Sequence, residues 1–520
     1  MKKLWIFLLV LALTLPFAVS CGSPDAKPAV TTESGTDGQT TAVTGEQGTD
    51  AQTAALTTEA LTEAVYDPDI LDTLPTARYG GKEFKFGLYN SQTYQFNLEG
   101  INGNQLDDAL YRWVQTISRR YDVDFAIESG KWFKNVSAEI LTGTSEINLY
   151  GGNAYEVYMV ISQGCFRDWN ALNPAMIDLT AKRWDRTLNE SATFNGKLLA
   201  ATGSLGVSKL LSTTALFYNT ELLMKNGVDE TELFELVDNY EWTFEEFEKL
   251  VKDIYFDNDN SNSKSDGDLF GYYAVDGNSM DVWFPSFGIH LTERDEENHT
   301  IIPTLWSDEN LERNNGILER LGQVFHGYDS IFVGGYDHPG DATKFANGEA
   351  ATVTVPFRNA LTLFSSSMGT SAYGLLPTPM LDSDQHAYYS NLNDQYCIWG
   401  IPTSLPESEL DFTAHIADAL AAECSETVYY QYYDKALKNR YSKDENVARM
   451  VDVTMSNVVF DTAMQFGGML AKGKTDITYE GYPYIPRNML KFNKLDLSSV
   501  KAEIENALAA DLQKVYDCYK

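Results

Sequence analysis

Two hydrophobic periods alternate along the chain. Glu83–Tyr89 (EFKFGLY) and Val123–Ile127 read as apolar strands, and between them Asn104–Tyr121 reads as a helix. Its apolar residues Leu106, Leu110, Trp113, Ile117 and Tyr121 recur every three or four positions, the stripe of an amphipathic helix. Tyr155–Ile161 (YEVYMVI) is apolar throughout and reads as a third strand, buried on both faces. Strands alternating with helices predict an α/β fold of parallel βαβ units. Ligands of such sheets sit at the carboxyl ends of the strands. That rule points to Tyr89, Asn90 and the run Cys165–Trp169 (CFRDW).

The pattern continues through Phe194–Ala200 (FNGKLLA), with a turn at Asn195–Gly196, and the strand Ala215–Asn219, whose last residue caps a helix. Thr243 with Glu246 three residues on predicts a capping box before Phe247, Leu250 and Ile254. Val282–Phe287 is a short aromatic run, and Asp308–Phe325 has a helical stripe. Lys344–Pro356 reads as a helix end, a turn and a strand; Tyr373–Met380 is extended, and Tyr396–Pro402 is a strand. Ala414–Glu426, Val428–Leu437 and Ser499–Lys520 are helical.

The amino-terminal end changes the picture. Lys2 and Lys3 precede an apolar run, Leu4–Phe17, too short for a membrane span, and Ala18-Val19-Ser20-Cys21 follows. Residues 1–20 therefore read as a lipoprotein signal peptide: the small residues before Cys21 resemble a bacterial lipobox, which implies that Cys21 is lipidated and holds the protein to the outer face of a cell membrane, the alternative being a plain secretory peptide cut near Cys21. From Cys21 to residue 77 the chain is mostly Thr, Gly, Ala, Ser and Glu, a tether with too little apolar surface to order itself. The remaining length suits two or three domains. The formal net charge is −35, with no Lys/Arg stripe, which argues against a nucleic-acid partner. Cys165, Cys397, Cys424 and Cys518 show no zinc spacing, and one disulfide among them stays open.

Taken in order, FNGKLLA, ALFYNTELLMK, YEWTFEEFEKL, KFANGEAATVTVP and YGLLPTPM resemble the bacterial extracellular solute-binding lipoproteins that include maltose-binding protein, the receptors of ABC importers. Ala215–Lys225 fits the second half of that family's signature, whereas Ser208, Lys209 and Leu210 depart from the first. The resemblance implies a two-lobed periplasmic-binding-protein-like fold, a ligand cleft between the lobes and a hinge crossed more than once. Residues 78–201 with 341–386 would form the first lobe, and 202–340 with 387–520 the second. The implied function is capture of a small solute, most simply a mono- or oligosaccharide, by hinge closure, and delivery to ABC permease subunits. No catalysis and no required cofactor are expected. A surface glycoside hydrolase working through a carboxylate pair, or a receptor for a peptide, polyol or sugar acid, are the rival readings.

On this resemblance the ligand contacts are Tyr89, Asn90 and Arg167 from one lobe, Trp283 as an aromatic platform in the other, and Phe357 and Arg358 after the strand VTVP. Against each stands a structural role: core packing for the rings, a surface ion pair for the arginines. One loop also carries metal-type chemistry. Asp257, Asp259, Ser261, Ser263, Ser265 and Asp268 occupy the oxygen-ligand positions of a calcium-loop template, with Asn262 where a glycine is usual and Asp268 where a glutamate is usual.

Overall fold

The computed structural model describes residues 69–131, 133–275, 277–295, 300–368, 373–433 and 445–520. The signal segment, Cys21 and most of the tether fall outside them. Two sheets organise these residues. In the first, Lys82–Leu88 lies parallel to both Val123–Glu128 and Leu149–Asn153, and Cys397–Gly400 closes the edge antiparallel to Leu149–Asn153. In the second, Thr214–Asn219 lies antiparallel between Tyr373–Leu376 and Ala350–Pro356. Leu269–Ala274 then pairs in parallel with Ala350–Pro356 and Ile331–Val333, and antiparallel with Tyr255–Phe256.

Most predicted elements form where the pattern placed them. Gln105–Tyr121 is helical, and Asn104 Oδ1 accepts from the backbone N–H of Leu106 (2.9 Å) and Asp107 (3.3 Å). Its apolar stripe is buried, with Trp113 Nε1 donating to the Leu420 carbonyl at 2.9 Å. The exception is Tyr155–Ile161. It belongs to a helix, Ala154–Ile161, and the third strand is the preceding Leu149–Asn153. An all-apolar run fits a buried helix as well as a buried strand. Gly151 is what lets the strand lie under the Trp399 ring, and Gly152 leaves room for Tyr150 and Val157. Val282–Phe287 likewise contains a single helical turn, Trp283–Ser286.

The lobe boundaries also differ from the expected ones. Asp341–Ala346, Ala350–Pro356 and Tyr373–Leu376 belong with the second sheet, whereas Cys397–Gly400 and the helix Leu410–Glu426 return to the first. Asp418 fixes that return: it accepts from Arg183 Nε and Nη2 (2.6 Å each) and from Trp184 Nε1 (2.7 Å). The chain crosses between sheets near residues 201–213, again near 391–397, and once more between Leu410–Glu426 and Glu445–Ser456, which packs on Tyr373–Leu376. The first two crossings lie side by side. Ala201 and Trp399 exchange backbone hydrogen bonds (2.9 and 2.8 Å), Asn393 N–H donates to the Ser212 carbonyl (3.0 Å), and Thr214 Oγ1 donates to the Asn391 carbonyl (2.9 Å). Cys165, Cys397, Cys424 and Cys518 are free thiols. No helix among the described residues is long and apolar enough to cross a membrane.

Candidate functional site

The carboxyl ends of both sheets open onto one cavity of about 430 Å³. From the first sheet comes Tyr155, two residues beyond Leu149–Asn153, and from the second crossing come Asn393, Asp394 and Gln395. From the second sheet come Gly277 and Asp281, beyond Leu269–Ala274, and Tyr336, beyond Ile331–Val333. The carboxy-terminal part adds Gly468, Lys472, Glu480, Tyr484 and Arg487. A second cavity sharing Asp281 holds about 20 Å³, room for about one water and no ligand.

Arg487 is the centre of the wall. It is 7 % exposed, donates from Nη1 to Asp281 Oδ2 at 2.5 Å, and pairs through Nη2 with Glu480 at 2.9 Å. Its guanidinium lies 4.3 Å from the centre of the Tyr484 ring, and the Tyr484 hydroxyl donates to Asp394. Gly277 makes this possible, since a Cβ there would lie 2.1 Å from Arg487 Nη1. Two carboxylates thus pair with one guanidinium, and a third, Asp394, holds the hydroxyl of the ring beside it. Burial pushes Asp281 up to about 7 against the pull of Arg487, with Asp394 and Glu480 adding repulsion. Burial raises Asp394 as well, opposed by the Tyr484 hydrogen bond. The wall therefore offers both donors and acceptors near neutral pH, framed by three tyrosine rings.

The loop bearing Asp281 is held from behind. Asp341, fully buried, accepts from Val275 N–H (2.8 Å) and Ser279 Oγ (2.5 Å), while Tyr272 and Trp283 both donate to the Ser279 carbonyl, at 2.6 and 2.9 Å. Trp283 is thus a core ring and no platform: it is 0 % exposed and packs on Phe244, Phe247 and Phe325 at centroid distances of 5.2, 4.9 and 5.5 Å. Its connection to the cavity runs through the backbone it supports. Phe357 is also fully buried, edge-on to Phe217. Phe357 directly follows Ala350–Pro356 and Trp283 lies two residues beyond Asp281 of the wall, but both side chains turn into the core.

Arg167 lies at the wrong end of its sheet. Its N–H donates to the Ile401 carbonyl, past the end of Cys397–Gly400. Because that strand is antiparallel, Ile401 lies at the amino-terminal edge of the parallel strands. There Arg167 bonds Glu407 (2.6 Å) and the Leu405 carbonyl (2.6 Å), bracing a loop. Cys165, Phe166, Asp168 and Trp169 share that displacement. Tyr89 and Asn90 do follow the carboxyl end of Lys82–Leu88, and Tyr89 N–H donates to the Gly151 carbonyl at 3.0 Å. Arg358 donates from Nη2 to Gln395 Oε1 (3.1 Å) and Asn393 Oδ1 (3.4 Å), two residues of the cavity wall. None of the six predicted contacts lines the cavity: Arg358 reaches it only through its bonds to Asn393 and Gln395, Tyr89 and Asn90 follow the first strand, and Arg167, Trp283 and Phe357 are engaged elsewhere.

Sequence reading missed Asp281, Tyr336, Asp394, Glu480, Tyr484 and Arg487. One signal was present. Residues 466–487 combine Gly467, Gly468, Gly473 and Gly481 with Tyr479, Tyr482 and Tyr484, a composition foreign to the helices on either side.

No protein-family model matches the sequence, and no curated protein matches it. Among solved structures, UgpB from Mycobacterium tuberculosis in complex with glycerophosphocholine aligns over 84 % of this chain and 99 % of its own, at 15 % identity and a TM-score of 0.54. An ABC transporter solute-binding protein from Thermotoga lettingae TMO, bound with α-D-tagatose, aligns over 85 % of this chain and 100 % of its own, at 13 % identity and a TM-score of 0.49. The described chain thus shares its two-lobed α/β fold with UgpB.

Proposed function

We propose that the protein is an extracytoplasmic solute-binding receptor of an ABC importer, held to the membrane through Cys21, and that it captures a carbohydrate in the cavity between its two sheets. The observation that carries this reading is the cavity wall. Its volume falls within the range of small-molecule sites. Tyr155, Tyr336 and Tyr484 supply flat apolar faces suited to the C–H face of a sugar ring, and Asp281, Asp394, Glu480 and Arg487 supply the planar donors and acceptors that vicinal hydroxyls require. Tyr336 stands 60 % exposed at the second-sheet side and takes the platform role expected of Trp283.

Three carboxylates, two of them with raised pKa values, also favour a glycoside hydrolase as second reading. The binding reading is preferred because Asp281 and Glu480 are both committed to Arg487. Calorimetric titration of a panel of mono- and oligosaccharides, followed by chromatography of the mixture, separates the two. Binding with the glycan recovered intact is the expected result; product formation supports the hydrolase. Binding only by peptides or polyols would overturn the carbohydrate assignment. Tyr336→Ala should weaken the bound glycan at least about tenfold, and an unchanged affinity would remove Tyr336 from the site.

A further inference from the structure

The loop Asp257–Asp268 joins the antiparallel strands Tyr255–Phe256 and Leu269–Ala274 on the second sheet. Carboxylate oxygens of Asp257, Asp259 and Asp268 converge to within 4.8 Å of one another. Among the described residues no cationic side chain pairs with these three. Lys264, within the loop, sends its ammonium away to the carbonyls of Tyr328 and Ile331, at 3.0 Å each. Asp266 is turned out of the group and bonds His338 Nδ1 and the Tyr273 hydroxyl, both at 2.9 Å.

Asp268 supplies the second, independent observation. It is 0 % exposed, and its Oδ2 accepts from Ser265 N–H (2.8 Å) and the Tyr255 hydroxyl (3.0 Å), yet its buried Oδ1 has no hydrogen-bond partner. A buried carboxylate oxygen without a partner, beside two further carboxylates, is costly unless a cation completes it. The missing glycine of the calcium-loop template is no obstacle either. Asn262 adopts the left-handed conformation that the glycine would supply (φ 59°), one that asparagine tolerates better than most residues.

We propose that this loop binds a divalent cation of calcium's size and hardness through Asp257, Asp259 and Asp268, with oxygens of Ser261, Ser263 and Ser265 completing the shell. Asp268 has one oxygen to offer, so it closes the site singly where a longer glutamate would close it doubly. Affinity should accordingly lie at the weak end for such loops, about 10 µM to 1 mM.

The test is calorimetric titration of the full chain, stripped with a chelator, with calcium chloride, alongside terbium luminescence sensitised by Tyr255. Binding of one calcium per chain and sensitised terbium emission displaced by calcium are expected. Asp268→Asn should weaken binding at least tenfold, while Asp266→Asn should leave it unchanged. Should Asp268→Asn fail to fold by circular dichroism, the less buried Asp257→Asn carries the same expectation. No calcium heat and no terbium emission in the wild type would overturn the proposal. So would wild-type affinity in a folded Asp268→Asn or Asp257→Asn variant, or magnesium binding as tightly as calcium.

Discussion

Arg487 and Asp418 show at the residue scale how one buried charge can serve a site and another a fold. Asp418 satisfies Arg183 and Trp184 together, so Asp418→Ala leaves a buried guanidinium without its partner. A loss of about 3–5 kcal/mol in urea unfolding is expected, with a ligand affinity unchanged in whatever remains folded. Asp281 acts through protonation. Its pKa rises from the ordinary aspartate value to about 7 on folding, so the folded state binds the extra proton. Stability from this group is therefore highest at low pH and declines as pH climbs from about 4 to about 7. Asp281→Asn should flatten that decline when urea midpoints are compared at about pH 5 and about pH 8; an identical pH slope in the variant would refute the assignment. Side-chain direction is the part of this scale that sequence could not supply. Trp283 stands two residues from the wall in sequence and Phe357 directly after a strand, but whether a ring faces a cavity or a core depends on what packs behind it.

Elements were legible wherever a local hydrogen bond or a clear period defines them. Asn219 was read as a helix cap, and its Oδ1 accepts from Leu222 N–H at 3.0 Å. Asn219→Ala should cost about 1 kcal/mol, read as a lower thermal midpoint. Thr243 was read the same way, and its hydroxyl makes no cap bond. The helix Phe244–Val251 starts there because Phe244 N–H donates to the Met380 carbonyl at 2.7 Å, while Glu246 is drawn off to Lys249 at 2.8 Å. A tertiary partner replaced the local one, which no spacing rule can foresee. Gly151 makes the same point in a strand. An added Cβ would lie 2.4 Å from Trp399 Cζ3, so Gly151→Ala should destabilise by about 1–3 kcal/mol in denaturant unfolding.

At the scale of the whole molecule, two sheets joined by adjacent crossings would serve the proposed receptor as a hinge, with the cavity wall drawn from both. Small-angle scattering should show the radius of gyration falling when a binding glycan saturates the protein; an unchanged value would argue against closure. The sequence by itself determined the α/β class, the strand–helix order and the polar loop Asp257–Asp268, because hydrophobic period and oxygen spacing are local properties of the chain. It also carried the family resemblance on which the proposed function rests. Only the tertiary structure decided which segments share a sheet, why Ala350–Pro356 and Tyr373–Leu376 pair with Thr214–Asn219, and that Asp281 and Arg487 meet across more than 200 residues of chain. Those choices rest on long-range strand pairing and on burying like charges around one guanidinium, energies that exist only once distant parts of the chain are in contact.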